Sequence, residues 1–167
     1  MSINQKQGPM RTTIAITTFV ITLMFVGCKS GESLSKQETI AQITQKIESG
    51  SYTFVAQRAM PMEGNTINLN SSFALKISKD SIDSYLPYYG RAYTAPLSTT
   101  EGGIKFVSTD FQYTISDKAK GMWDISIIPN DNQKRYKLRL DIGDTGYGTL
   151  TVLDTNRQSI SFYGVIE

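Results

Sequence analysis

Between Ser35 and Glu48 the apolar residues Ile40, Ile43 and Ile47 recur at helical spacing, with Gln42, Gln45, Lys46 and Glu48 between them. That spacing gathers the three isoleucines on one face of a helix. Ser35-Lys36-Gln37-Glu38 has the form of a capping box, in which the Ser35 and Glu38 side chains satisfy backbone donors at a helix start. Gly50 suits the left-handed stop. One amphipathic helix of about four turns is predicted. From Tyr52 to the end the period drops to two. Tyr52, Phe54 and Ala56 alternate with Thr53 and Gln57, Val55 blurring the pattern, and Phe73, Leu75 and Ile77 alternate with Ala74, Lys76 and Ser78. The sets Phe111, Tyr113, Ile115; Trp123, Ile125, Ile127; Tyr136, Leu138, Leu140, Ile142; Leu150, Val152; and Ile160, Phe162 repeat it. Each marks a strand that is dry on one face only.

Turn residues separate these runs: Gly64-Asn65, Lys79-Asp80, Gly102-Gly103, Pro129-Asn130-Asp131-Asn132, Gly143-Asp144 and Asp154-Thr155-Asn156. Their hairpin-like spacing leaves no room for helical crossovers, so the sheet is an antiparallel meander of about eight strands. Eight strands about 4.8 Å apart make a sheet more than roughly 30 Å wide, and one helix roughly 10 Å across shields only part of it. The expected fold is therefore α+β, mainly β. The sheet curls round its own apolar face as a half-barrel or a barrel, with the helix over the gap and the open, strongly curved form slightly preferred.

The chain before the helix has a different character. Lys6 and Arg11 precede a charge-free apolar run, Thr12 to Val26, and Phe25-Val26-Gly27-Cys28 forms a lipobox around the chain's one cysteine. Gly27 gives a peptidase access to the backbone, and the Cys28 thiol accepts the diacylglyceryl group. About fifteen residues of helix span only about 22 Å, less than the roughly 30 Å of a hydrocarbon core, so the run is read as a signal and not as a membrane span. The expected division is a signal peptide at 1–27, a lipidated tether at 28–33 and one globular domain at 34–167.

Cleavage changes the charge. The chain has 17 Lys and Arg against 15 Asp and Glu, and the removed segment takes Lys6 and Arg11 with no acid, leaving 15 of each. The basic field of a nucleic-acid binder is absent, so nucleic acid is excluded as a partner. The chain has no histidine, which excludes Ser-His-Asp and Cys-His catalysis, His-containing zinc sites and imidazole pH switches. No cofactor or metal is expected, and with Cys28 acylated no disulfide is available.

The most unusual segment is Leu86 to Tyr93, LPYYGRAY. Tyr85, Tyr88, Tyr89, Arg91 and Tyr93 form the candidate contact surface, since amphipathic rings beside a guanidinium suit recognition. The alternative is a rigid strand-to-loop corner whose tyrosines pack on the sheet edge. Other clusters carry less. Asp141 and Asp144 lack the oxygens of a calcium cage and read as a hairpin turn. Asp80 with Asp83, and Asp110 with Asp117, read as turn and edge residues. Gly102 to Lys105 reads as a turn, Trp123 as core, and Lys134, Arg135, Lys137 and Arg139 as a solvated basic face.

LPYYGRAY, then EGGIKF, YTISDKAKGMWDISI and the terminal LDTNRQSISFYGVI resemble the Bacteroidetes lipoproteins catalogued as domain of unknown function 4251, over roughly Tyr52 to Glu167. The resemblance implies a cell-envelope lipoprotein and supplies no activity, substrate or catalytic residue. In that phylum an acidic run after the lipidated cysteine marks surface export. Lys29-Ser30-Gly31-Glu32 holds one acid, which points to the periplasmic face of the outer membrane, with surface display as the alternative. The chain is thus expected to be a membrane-tethered, non-enzymatic module for an envelope protein partner. The rival is a barrel that carries an apolar small molecule or lipid.

Overall fold

The computed structural model describes residues 31–70, 72–93, 102–119, 121–131 and 135–167. The expected signal segment and Cys28 lie outside them. The chain separates into the units Met1–Gln37 and Glu38–Glu167, the second holding the rest of the helix and every strand. Helix α1 runs from Gly31 to Ser49. It starts four residues before the expected Ser35, which corrects the capping-box start. Glu32, Ser33 and Leu34 include good helix formers and no proline interrupts them, so Ser35 and Glu38 fall inside the helix. The stop is as expected: Gly50 has φ 63° and its N–H donates to the Ile47 carbonyl at 3.1 Å.

Among the described residues ten strands follow where about eight were expected: β1 (Tyr52–Pro61), β2 (Ile67–Asn68), β3 (Ala74–Ile77), β4 (Ile82–Pro87), β5 (Gly103–Ser108), β6 (Phe111–Ala119), β7 (Met122–Pro129), β8 (Tyr136–Ile142), β9 (Tyr147–Asp154) and β10 (Arg157–Ile166). β2 is too short to show a period. β4 escapes the hydrophobic pattern because its inward face is Ile82, Ser84, Leu86, and the buried Ser84 hydroxyl donates to the Ile104 carbonyl at 2.9 Å. Gly103 to Lys105, expected as a turn, opens β5, where Ile104 and Phe106 face the core.

Every pairing is antiparallel, and the sheet order is β5-β4-β3-β1-β10-β9-β8-β7-β6, with β2 on the far half of β1. Laid flat, β5 and β6 would lie eight strand spacings apart, almost 40 Å at about 4.8 Å each. Yet only Thr109 and Asp110 join them, a reach of about 11 Å. The sheet has to curl into a nearly closed barrel. Eight antiparallel steps also leave β5 and β6 running in the same sense, so they are two halves of one bent strand, the first bonded to β4 and the second to β7.

The inward positions Phe54, Leu75, Ile125, Leu138, Leu140, Leu150, Phe162 and Tyr136 fill this barrel, and Phe106 stacks on Tyr136 with centroids 4.7 Å apart. Curvature requires close strands. Gly164 faces Gly148 across β10 and β9, and a Cβ at Gly164 would run into the Val55 carbonyl and the Phe54 ring. At the end where β1 begins, α1 lays its isoleucines over the opening. A Cβ on Gly146, in the β8–β9 turn, would lie 2.8 Å from Ile43 Cδ1, and Ile47 is fully buried. Burying one such side chain contributes about 1.5–3 kcal/mol.

These contacts predict that Gly164→Ala costs about 1–3 kcal/mol through overpacking. Gly50→Ala, where nothing lies within 4 Å, should cost about 1–2 kcal/mol from the left-handed backbone alone. Urea midpoints measure both. A neutral Gly164→Ala would show that β1 and β10 are less tightly coiled than described.

Candidate functional site

The opposite end of the barrel is closed by the tyrosine-rich segment. After β4 the chain crosses the β9–β10 hairpin: Ala92 bridges to Arg157, Tyr93 N–H donates to the Asn156 carbonyl at 2.8 Å and Gln158 N–H to the Arg91 carbonyl at 3.0 Å. The Tyr88 hydroxyl lies 2.9 Å from the Arg91 carbonyl and 3.1 Å from that of Gln158. Burial holds this phenol above the usual tyrosine range. Gly90 permits the approach, since a Cβ there would stand 2.8 Å from the same hydroxyl. Gln158 accepts from Arg91 N–H at 3.0 Å and donates to Glu63 at 3.1 Å, and Glu63 also faces the Arg91 guanidinium at 3.6 Å.

Beneath this strap lies a group that the sequence pattern misses. Arg157 is only 8% exposed, with Nε 3.8 Å from Asp154 Oδ2, Nη1 donating to the Gly103 carbonyl at 3.4 Å and Cζ 5.0 Å from the Tyr88 ring centroid. Asp154 Oδ1 accepts from Asn156 N–H at 2.9 Å. Simple alternation from Ile160 and Phe162 gives position 157 an outward side chain. A register shift between Arg157 and Ile160 turns it inward instead, and no local signal in the sequence announces that bulge.

The five candidate contact residues therefore separate. Tyr85 stands on the outer wall, stacked on Phe73 at 5.7 Å and under the Lys105 ammonium at 4.6 Å. Tyr88 is a bracket across the barrel end, and Tyr89 is half-buried against the core. Arg91 and Tyr93 face solvent, with 78% of the Arg91 side chain and 69% of Tyr93 exposed.

A second place is the gap beside β6. Ile47 to Gly50 of the helix end, Ile77 to Lys79, Phe111, Tyr113 and Ile115 line an open groove of about 330 Å³. At its inner side the Tyr52 and Tyr113 hydroxyls meet at 2.8 Å. Burial, reinforced by the Tyr113 hydroxyl, pushes the Tyr52 phenol far above its usual value, and burial also raises Tyr113. Both stay protonated across the physiological range.

The third is the outer wall of β6–β10. One register row holds Thr114, Ser126, Arg139, Thr151 and Ser161, and the next holds Ser116, Asp124, Asp141, Thr149 and Tyr163. Arg139 grips Asp124 through two hydrogen bonds, at 3.1 and 2.7 Å, and lies 3.7 Å from Asp141. Of the expected basic face, Lys137 and Arg139 do point outward, and Lys134 lies outside the described residues. Tyr147 stacks on Tyr163 at 5.7 Å, with Arg58 over Tyr163 at 4.5 Å.

The remaining candidates have structural surroundings. Gly143 to Gly146 forms the β8–β9 turn, as expected for Asp144, whereas Asp141 lies in β8 before it, and Trp123 is buried. Asp80 accepts from Ser78 at 3.2 Å, and Asp110 from Asn130 at 3.2 Å. Among the described residues no group of three or more Cys, Asp or Glu side chains is placed to hold a metal ion, and no helix is long and apolar enough to cross a membrane.

The sequence matches the family described as Domain of unknown function (DUF4251) over residues 34–166. The structure is similar to the crystal structure of a DUF4251 family protein from Bacteroides eggerthii, with TM-score 0.53 and 10% sequence identity, covering 77% of this chain and 86% of that one. No curated protein matches the sequence.

Two measurements probe this geometry. Arg157→Met, which leaves Asp154 buried without its cation, should cost about 3–5 kcal/mol, whereas Tyr88→Phe should cost about 1 kcal/mol. Second, Tyr52 titrates higher folded than unfolded, where its value is about 10. Its contribution is therefore complete below pH ~10 and is lost as pH rises beyond it. Tyr52→Phe should flatten that alkaline loss in urea titrations, and an unchanged profile would remove the buried phenol as its cause.

Proposed function

The chain belongs to the DUF4251 family, and from that premise we propose that it is a lipid-anchored cell-envelope protein that binds a partner without catalysing a reaction. The anchor is Cys28, acylated after removal of residues 1–27. Its place is the outer membrane, on the periplasmic face. What carries the binding reading is the strap at the barrel end. Tyr88, Gly90 and Gln158 hold its backbone, so Arg91 and Tyr93 are presented to solvent on a rigid base and lose little entropy on contact. An interior filled by Phe54, Phe162 and Tyr136 favours a contact surface over an internal cargo. The absence of histidine from the sequence favours binding over general acid–base catalysis.

A second reading has one observation in its favour. The groove beside β6, about 330 Å³ and lined by Ile47, Ile77, Phe111 and Ile115, has the size of a small-ligand pocket, which supports transport of an apolar molecule. Filling it by Ile115→Trp should then abolish uptake of a fluorescent fatty acid and leave partner capture intact.

Mass spectrometry of membrane-extracted protein should find a diacylated Cys28 terminus, and Cys28→Ser should accumulate as precursor. An intact Met1 terminus would sink the anchor. For the contact, crosslinking pull-down from native membranes should recover a defined protein. Arg91→Ala with Tyr93→Ala should weaken its capture about tenfold or more at nearly unchanged stability. Undiminished capture would relegate the strap to a structural role.

A further inference from the structure

We propose that the free edge of β6, from Phe111 to Ile115, accepts an extended segment of a partner protein as an additional strand, with apolar side chains at alternate positions facing the barrel. β6 ends the sheet order, and among the described residues no strand pairs its far side. The β4–β5 ladder stops at Ile82 and Ser108, where the chain leading back to β3 turns away through Ser78 to Ser81. β6 therefore runs on beside the helix end with β7 as its one strand partner.

The backbone of this edge is set out for a strand. Asn130 N–H donates to the Asp110 carbonyl at 2.8 Å, which makes Asp110 and Asn130 a hydrogen-bonded pair. Such pairs alternate along an antiparallel ladder, so Gln112 and Thr114 bond to β7 while the N–H and C=O groups of Phe111, Tyr113 and Ile115 point the other way. Pro129 opposite Phe111 fits that phase, since a proline has no N–H to donate. The same three residues line the groove of about 330 Å³, whose β6 side thus offers a row of backbone donors and acceptors. Edge strands are normally blunted by charge, proline or a bulge. Phe111 to Ile115 contains no charge and no proline, and the bulge comes only after Asp117.

The side chains define which strand fits. One inward row is Ile115, Ile125, Leu140, Leu150, Phe162. The last four are 0% exposed and Ile115 is 40% exposed, so the row is complete except at the β6 margin, where the next inward side chain is missing. An added strand supplies it. Its residues in register with Phe111, Tyr113 and Ile115 turn to the apolar lining of Ile47 and Ile77, and those between them turn to solvent beside Gln112 and Thr114. The segment is therefore apolar at every second position. Glu48 and Lys79 give the lining one charge of each sign, which favours no net charge in the inserted stretch. A fatty acid in the groove would cover the side chains and desolvate the backbone groups without pairing them, whereas a strand satisfies both. A second copy meeting this edge across a two-fold axis would bring two helix ends and two β3–β4 turns against each other. The inference is independent of the strap, and it gives the groove a peptide in place of an apolar cargo.

The test is fluorescence anisotropy with a labelled peptide of about seven residues, alternating valine and threonine with a lysine at each end, added to the full chain in lipid nanodiscs. Saturable binding is expected. N-methylation of the valine amides alone, or of the threonine amides alone, should abolish binding for one set and spare it for the other, because a strand bonds a given neighbour through alternate residues. Ile115→Pro should weaken binding about tenfold or more and still fold, since its N–H lies outside the β6–β7 ladder. Should it fail to fold, Ile115→Lys is the second blocking variant. Arg91→Ala, on the strap, leaves binding unchanged. No saturable binding overturns the proposal, and an equal effect of the two methylations overturns strand pairing. Binding that survives both blocking variants overturns its location. A dimer that Ile115→Pro dissolves, or a fluorescent fatty acid that binds where the peptide does not, overturns its occupant.

Discussion

A two-residue connection governs this fold. Thr109 and Asp110 carry the chain from one margin of a ten-stranded sheet to the other, and the only geometry that allows so short a link is a sheet wrapped almost into a closed barrel. The wrapping then dictates the rest. β1 and β10, far apart in sequence, must pair, and the tightest part of the coil falls where Gly148 and Gly164 bring backbones together. Because β5 and β6 bond to different neighbours, a gap is left beside each half of the bent strand. The helix end, with Ile47 and Gly50, borders the gap beside β6.

Closure also explains where polar groups are buried. Covering the two ends screens the side chains at the rims from most solvent, so polar groups buried there gain from a protein partner. Tyr52 and Tyr113 satisfy each other at the helix end, Ser84 finds the Ile104 carbonyl, and Arg157 sits between Asp154, Gly103 and the Tyr88 ring at the other. The strap thus has two faces with different surroundings. Its inner side, Tyr88, covers a buried ion pair, and its outer side carries the exposed Arg91, which faces Glu63, and the exposed Tyr93.

The likeness to the Bacteroides eggerthii protein at 10% identity has a physical reading. An inward alternation that fills the barrel can be met by many combinations of apolar residues, whereas the outward residues are under no such constraint. What distinguishes one such barrel from another in function is therefore to be sought in the strap, the groove and the outer wall.

Local pattern determined a good deal by itself. The isoleucine stripe of α1, the stop at Gly50, the one-sided strands, the antiparallel meander and the turns at Lys79-Asp80, Gly143-Asp144 and Asp154-Thr155-Asn156 depend on neighbouring residues, and neighbours are what a sequence displays. The signal segment, the acylation of Cys28 and the neutral charge after cleavage are expectations from the sequence, on residues outside the described ones. Tertiary structure decided the rest. β4 was hidden because inward Ser84 looks polar until Ile104 is beside it. Gly102-Gly103 has turn chemistry, yet Gly103 opens β5, which completes a ladder across from β4. Arg157 is turned inward by a bulge that no local pattern marks, and Tyr85 and the four candidates of LPYYGRAY are divided between wall, bracket and rim by strands distant in sequence. In each case the deciding partner is far along the chain, and periodicity records which face a residue shows without recording what that face meets.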